Sequence, residues 1–147
     1  MSQHSDSSKG LGHRVPRMPQ WYVQKLKQHP SAAQRRALRE LWPIWGLATP
    51  RYGDVLDFRQ AFGSCAGRYC VLDIGFGMGD ALLEIAAARP LWNFVGIEWH
   101  RPSLGHCLQQ IHERGLTNVR LMAGNAQKIL QHHSVIGTWD EIWIWFP

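Results

Sequence analysis

The sequence predicts an α/β protein in which successive βα units build a parallel sheet. Three observations carry that prediction. From Tyr69 onward, short apolar runs alternate with amphipathic stretches long enough for right-handed crossovers. One run, Val71-Leu72-Asp73-Ile74, passes directly into Gly75-Phe76-Gly77-Met78-Gly79 and then into a helical pattern. The chain has 147 residues, 45% of them hydrophobic and 18% charged, which suits one core and excludes a wholly disordered or collagen-like chain.

Taken in order, residues 1 to 30 hold Gly10, Gly12, Pro16, Pro19 and Pro30 among polar residues and read as a basic arm, ordered only locally without a partner. Trp21 and Tyr22, set among Arg14, Arg17, Lys25 and Lys27, either stack on bases or pack on the domain, which is expected to run from 31 to 147. Ser31 and Gln34 make a capping box for a helix in which Ala33, Ala37, Leu38, Leu41 and Trp45 recur near helical spacing, and Pro43 should bend or end it. A shorter helix capped by Asp57 is expected at 57 to 62. Strands are expected at 70–74, 93–98, 118–122 and 140–146, with helices at 80–89, 102–114 and 125–132. The final run, Glu141-Ile142-Trp143-Ile144-Trp145-Phe146, is apolar on both faces, as for a strand covered by helices on each side. A doubly wound sheet normally continues outward from such a strand, so the sequence reads as a partial domain whose Trp-rich edge is an aggregation hazard.

Charge is distributed unevenly. Residues 1 to 51 hold nine Lys and Arg against Asp6 and Glu40, whereas residues 52 to 147 hold seven against nine acids. The basic end fits either an arm that meets a polyanion, nucleic acid before membrane, or a solvated tail. Cys65, Cys70 and Cys107 match neither a zinc pattern nor a disulfide framework and read as free thiols. No metal site is expected, and the adjacent His132 and His133 read as surface residues. With no apolar run long enough to span a bilayer and no secretory signal, the expected location is the cytoplasm.

The glycine turn is where the chemistry is expected. Gly75, Gly77 and Gly79 follow a strand and precede a helix, so they allow unusual backbone angles and let a ligand approach the main chain. Asp73 and Asp80 flank the turn. Two carboxylates repel the pyrophosphate of a dinucleotide but attract the ammonium and sulfonium of S-adenosylmethionine, which sets a nicotinamide-dependent oxidoreductase aside. Glu98 ends the next strand, where an acid accepts the hydroxyls of an adenosine ribose in either cofactor class. Asn125 and Ala126 open a later helix near the place of an adenine edge, and Asn125 is equally readable as that helix's cap.

These residues bring the sequence to a family. Asp73-Ile74-Gly75-Phe76-Gly77-Met78-Gly79, then Gly96-Ile97-Glu98-Trp99-His100-Arg101-Pro102, Asn125-Ala126 and Phe146-Pro147 closely resemble the tRNA (guanine-N7)-methyltransferases. Gln34-Arg35-Arg36-Ala37-Leu38, Leu41-Trp42-Pro43 and Gly46 are similar to that family's amino-terminal segment, so the resemblance covers roughly 31 to 147. It implies a Rossmann-like class I methyltransferase fold, incomplete here with about four parallel strands and a basic amino-terminal extension. It implies S-adenosylmethionine as donor and a variable-loop guanosine of tRNA as acceptor. Cofactor-binding residues by position are Asp73, Gly75, Gly77, Gly79, Glu98, Asn125 and Ala126, with Asp73 where the family more often has glutamate. The family continues after its Phe-Pro with the aspartate usually given the catalytic role, then Pro-Trp and a basic run for tRNA; here that aspartate would follow Pro147. The reading is therefore a methyltransferase complete in its cofactor half, against the alternative of a non-catalytic module that binds S-adenosylmethionine and RNA.

Overall fold

A computed structural model describes residues 29–49, 51, 53–54, 57–132 and 139–145. Most of the expected basic arm, with Trp21 and Tyr22, lies outside these residues, as do His133, Phe146 and Pro147. The described chain forms a five-stranded sheet in the order β1-β4-β3-β2-β5, parallel throughout. The strands are β1 (Gly46–Leu47), β2 (Cys70–Ile74), β3 (Asn93–Glu98), β4 (Val119–Ala123) and β5 (Glu141–Ile144). The helices are α1 (Ala32–Glu40), α2 (Trp42–Trp45), α3 (Asp80–Ala88), α4 (Arg101–Glu113) and α5 (Ala126–His132). This is the Rossmann-like α/β arrangement, with helices joining consecutive parallel strands.

Alternation along the strands splits the core in two. Val71, Phe94, Val119 and Leu121 face α1, α3 and α4, where they meet Ala37, Leu82, Leu83, Ala86, Leu104, Cys107, Leu108 and Ile111. Cys70, Leu72, Val95, Ile97 and Met122 face the opposite way, against Phe58, Phe62 and Ile129. The buried residues Leu104, Cys107, Leu108 and Ile111 recur every three or four positions, so α4 presents one apolar stripe to the sheet. Gly115, at φ +62°, ends that helix, its N–H donating to the His112 carbonyl at 3.1 Å.

The capping box at Ser31 and Gln34 forms as expected, with both reciprocal bonds in place. Pro43 falls in the first turn of α2, where its missing N–H is harmless, so the expected single helix becomes two that meet at Leu41. Helix α1 then lies directly on α4. A Cβ at Gly105 would stand 2.8 Å from the Cβ and carbonyl oxygen of Gln34. Gly105→Val is accordingly expected to push α1 away and cost about 1–3 kcal/mol, read as a lower urea midpoint with the far-ultraviolet spectrum largely kept.

Four expectations need correction. The two-residue β1, paired with Leu121 and Met122 of β4, was not foreseen because so short a run has no alternation to read. The helix expected at 57–62 is a 3₁₀ stretch, Phe58–Cys65, kinked at Gly63 (φ +54°), although Asp57 does accept from the Arg59 N–H. The expected strand at 118–122 lies one residue later. The last strand is shorter than expected and is not covered on both faces: Trp143 packs toward Phe94, but Ile142 and Ile144 are 53% and 56% exposed. They lie opposite Leu72 and Ile74 in register, yet stay exposed where Leu72 is fully buried. Polar contacts fix the register of β5 instead. Asp140 accepts from the Cys70 N–H at 2.7 Å and from Arg59 at 2.9 Å, and Glu141 accepts from the Tyr69 hydroxyl at 2.8 Å.

Candidate functional site

The carboxyl ends of β2, β3 and β4 lie side by side at one end of the sheet, and the strand order reverses beside β2, where β5 pairs on its other edge, the usual place for a ligand in an open parallel sheet. There the three glycines take φ values of +72°, +60° and +88° at 75, 77 and 79. Gly79 is the cap of α3, and a Cβ there would stand 2.7 Å from the Cys107 Sγ. Around Gly75 and Gly77 the equivalent position is open space. One glycine is thus spent on packing, and two leave the main chain approachable.

Several contacts hold this turn. The Gly75 N–H donates to the Ile97 carbonyl at 2.8 Å, and the Phe76 ring lies so close over β3 that a Cβ at Gly96 would meet it at 2.5 Å. Met78 receives the Ser103 hydroxyl at 3.7 Å, and Ser103 lies 2.8 Å from the Nδ1 of buried His100. Gly77 donates its N–H to the Glu98 Oε2 at 3.1 Å. The other oxygen of Glu98, Oε1, accepts from the Trp99 and His100 N–H groups at 2.8 and 3.0 Å.

Asp73 lies beneath the turn and is 1% exposed. Its Oδ1 has no hydrogen-bond partner, and none of the four ion pairs among the described residues involves Asp73, Asp80 or Glu98. Burial, with the nearby Glu98 charge adding to it, pushes the Asp73 carboxyl up to about 6. A buried acceptor left unpaired costs on the order of 1–3 kcal/mol, so a native chain that keeps one invites a functional explanation. The thiol of Cys107, on the face of α4 that packs against the sheet, is raised by burial and then by Asp73 and Asp80, and is inert.

Of the residues expected to form a site, the structure gathers Asp73, Gly75, Gly77, Gly79 and Glu98 at one sheet end. Asn125 and Ala126 follow β4 at that same end. Asn125 accepts from the Lys128 N–H through Oδ1 at 3.0 Å, so it is the cap of α5. Sequence reasoning left out His100 and Ser103, which brace the turn, and Gly96 and Cys107, which set its packing. His100 carried a signal only as part of a family string. Among the described residues no group of three or more His, Cys, Asp or Glu is placed to hold a metal ion, and no helix is long and apolar enough to cross a membrane.

A parallel α/β sheet with a strand–glycine turn–helix and an unpaired acid beneath it has the architecture of a domain that binds a nucleoside-containing cofactor. A family model described as "Putative methyltransferase" matches residues 67–147, more than half of the chain, and the chain belongs to that family. Its curated relatives are named tRNA (guanine-N(7)-)-methyltransferase. That of Alkalilimnicola ehrlichii is 44% identical over 80% of this chain and 48% of its own length. Those of Halorhodospira halophila and Chromobacterium violaceum are 40% and 42% identical, covering 90% and 81% of this chain and 55% and 51% of their own. The chain therefore spans about half the length of the curated relatives it matches.

Proposed function

We propose that this chain carries the methyl-donor site of a tRNA (guanine-N7)-methyltransferase, with S-adenosylmethionine as donor and a variable-loop guanosine as acceptor. The observation that carries the reading is the buried, unpaired Asp73 Oδ1 below an open glycine turn. A cation completes this site and a pyrophosphate is repelled by it. S-adenosylmethionine, when bound, supplies an activated methyl group on a positively charged sulfur. In this reading Asp73 holds the ammonium, Gly75 and Gly77 admit the ligand against the main chain, and Glu98 receives ribose. Asn125 keeps its amide N–H groups for an adenine edge, since only its oxygen is taken by the cap. The residues thus fit the cofactor.

Guanine N7 has a free lone pair at neutral pH, so no residue needs to remove a proton from the acceptor. Positioning then dominates the rate. The names of the curated relatives support tRNA as the partner, and so does the excess of Lys and Arg toward the amino terminus. The unpaired thiols of Cys65, Cys70 and Cys107 fit a reducing, cytoplasmic setting.

The test is incubation of the chain with radiolabelled S-adenosylmethionine and unmodified tRNA, followed by nucleoside chromatography. Label in 7-methylguanosine from the variable loop is the expected product. Label in another nucleoside overturns the assignment, and cofactor uptake without any product assigns the chain a binding role in place of a catalytic one.

A further inference from the structure

Glu98 has fewer free lone pairs than its place at the end of β3 suggests. An ionised carboxylate offers about four acceptor positions. Both positions on Oε1 are filled by the N–H groups of Trp99 and His100, which belong to the turn that starts α4. On Oε2 one position holds the Gly77 N–H at 3.1 Å, the longest of the three bonds. A ribose with two adjacent hydroxyls therefore finds one vacant position where it needs two. The other bond most readily given up is the one to Gly77, because the Trp99 and His100 donors are sequence neighbours held by the entry into α4. Gly77 is also the residue of the turn best able to move. Its Cβ position is open space, whereas Gly75, equally open, is held by its N–H to the Ile97 carbonyl, Met78 is tethered to Ser103 and Gly79 is packed against Cys107.

We propose that Glu98 is a positioning residue as well as a ribose acceptor. It latches the glycine turn through Gly77 in the ligand-free chain, and the second ribose hydroxyl displaces that N–H when cofactor binds. This rests on the cofactor reading above. Its consequence is that ribose recognition and the shape of the turn are one event: Gly77 is released toward the ligand at the moment Glu98 is engaged.

The experiment uses the whole chain, labelled with ¹⁵N and ¹³C, and reads the through-hydrogen-bond coupling between the Gly77 nitrogen and the Glu98 carboxyl carbon. The coupling is expected in the ligand-free chain. It should be lost with saturating adenosine or S-adenosylhomocysteine, which bring a ribose, and kept with methionine, which does not. Glu98→Gln supplies a second reading, because its amide oxygen still serves Trp99 and His100 while its NH₂ faces the Gly77 donor. Without ligand, Gly77 amide exchange in that variant should be about tenfold faster than in the parent. Saturated S-adenosylhomocysteine binding with the coupling intact overturns the latch and leaves the cofactor site standing. Equal Gly77 exchange in parent and variant also overturns it. Failure of adenosine and S-adenosylhomocysteine to saturate the folded chain removes the cofactor reading and the latch together.

Discussion

Asp73→Asn is expected to make the ligand-free chain more stable at neutral pH, although it removes a buried residue of the site. The Asp73 carboxyl stands at about 6 in the folded chain, against roughly 3.9 in an unfolded one. Its folded value is raised, so the native state binds the extra proton between those limits. Stability is full below about pH 4 and is lost as the pH rises through about 6. Two units of separation correspond to about 3 kcal/mol at pH 7 and above. Neutral Asn escapes that loss. Urea unfolding of the two chains should therefore give similar midpoints near pH 4 and diverge by up to this amount near pH 7.5, the variant being the more stable. Such a result would place Asp73 among residues kept for a ligand and not for the fold, because the ligand-free chain carries its charge at a net loss.

Gly79→Ala is expected to damage the fold more than Gly75→Ala or Gly77→Ala, although all three residues have positive φ. Each substitution forces an L side chain into the left-handed region, at about 1–2 kcal/mol. Only at Gly79 does the new Cβ also collide, lying 2.7 Å from the Cys107 Sγ and 3.3 Å from its Cβ. Both belong to a helix packed against the sheet, so overpacking adds about 1–3 kcal/mol. The Gly79 variant should lose about 2–5 kcal/mol in all, a large share of the stability of a domain this size. Adding Cys107→Ala should return the collision part and leave the backbone part. At Gly75 and Gly77 the expected damage falls on ligand affinity, since their Cβ groups would occupy the space that keeps the main chain approachable. Denaturant midpoints for the four variants separate the two roles of the glycines.

Much of this was legible in the sequence because the signals were local. Strand β2, its glycine turn and α3 follow from an apolar run, three glycines and a helical pattern in unbroken order. The box at Ser31 and Gln34 and the cap at Asp57 are short-range hydrogen bonds written in residue type. What stayed hidden depends on contacts distant in sequence. Strand β1 exists only because β4 offers it an edge. The exposure of Ile142 and Ile144 on β5 depends on which elements pack against them, and hydrophobicity cannot report that. In the candidate site, the sequence pointed to Asp73 for the cation and Glu98 for the ribose but could not show how differently folding would treat the two carboxylates. Folding makes one an unpaired buried acid and the other an acceptor of three backbone N–H groups. Ser103 and Met78, 25 residues apart, meet only because α4 returns across the turn.

Equilibrium dialysis of the folded chain against radiolabelled S-adenosylmethionine tests the central claim most directly, with Asp73→Asn dialysed alongside and excess NAD as competitor. A cationic donor held by Asp73 predicts saturable uptake at pH 7.5 that NAD leaves unchanged, that weakens as the pH falls below about 6, and that drops roughly 30-fold or more in the variant, as for a lost charge-assisted bond in a buried site. Uptake equal in the two chains, or none by a chain shown to be folded, would contradict it.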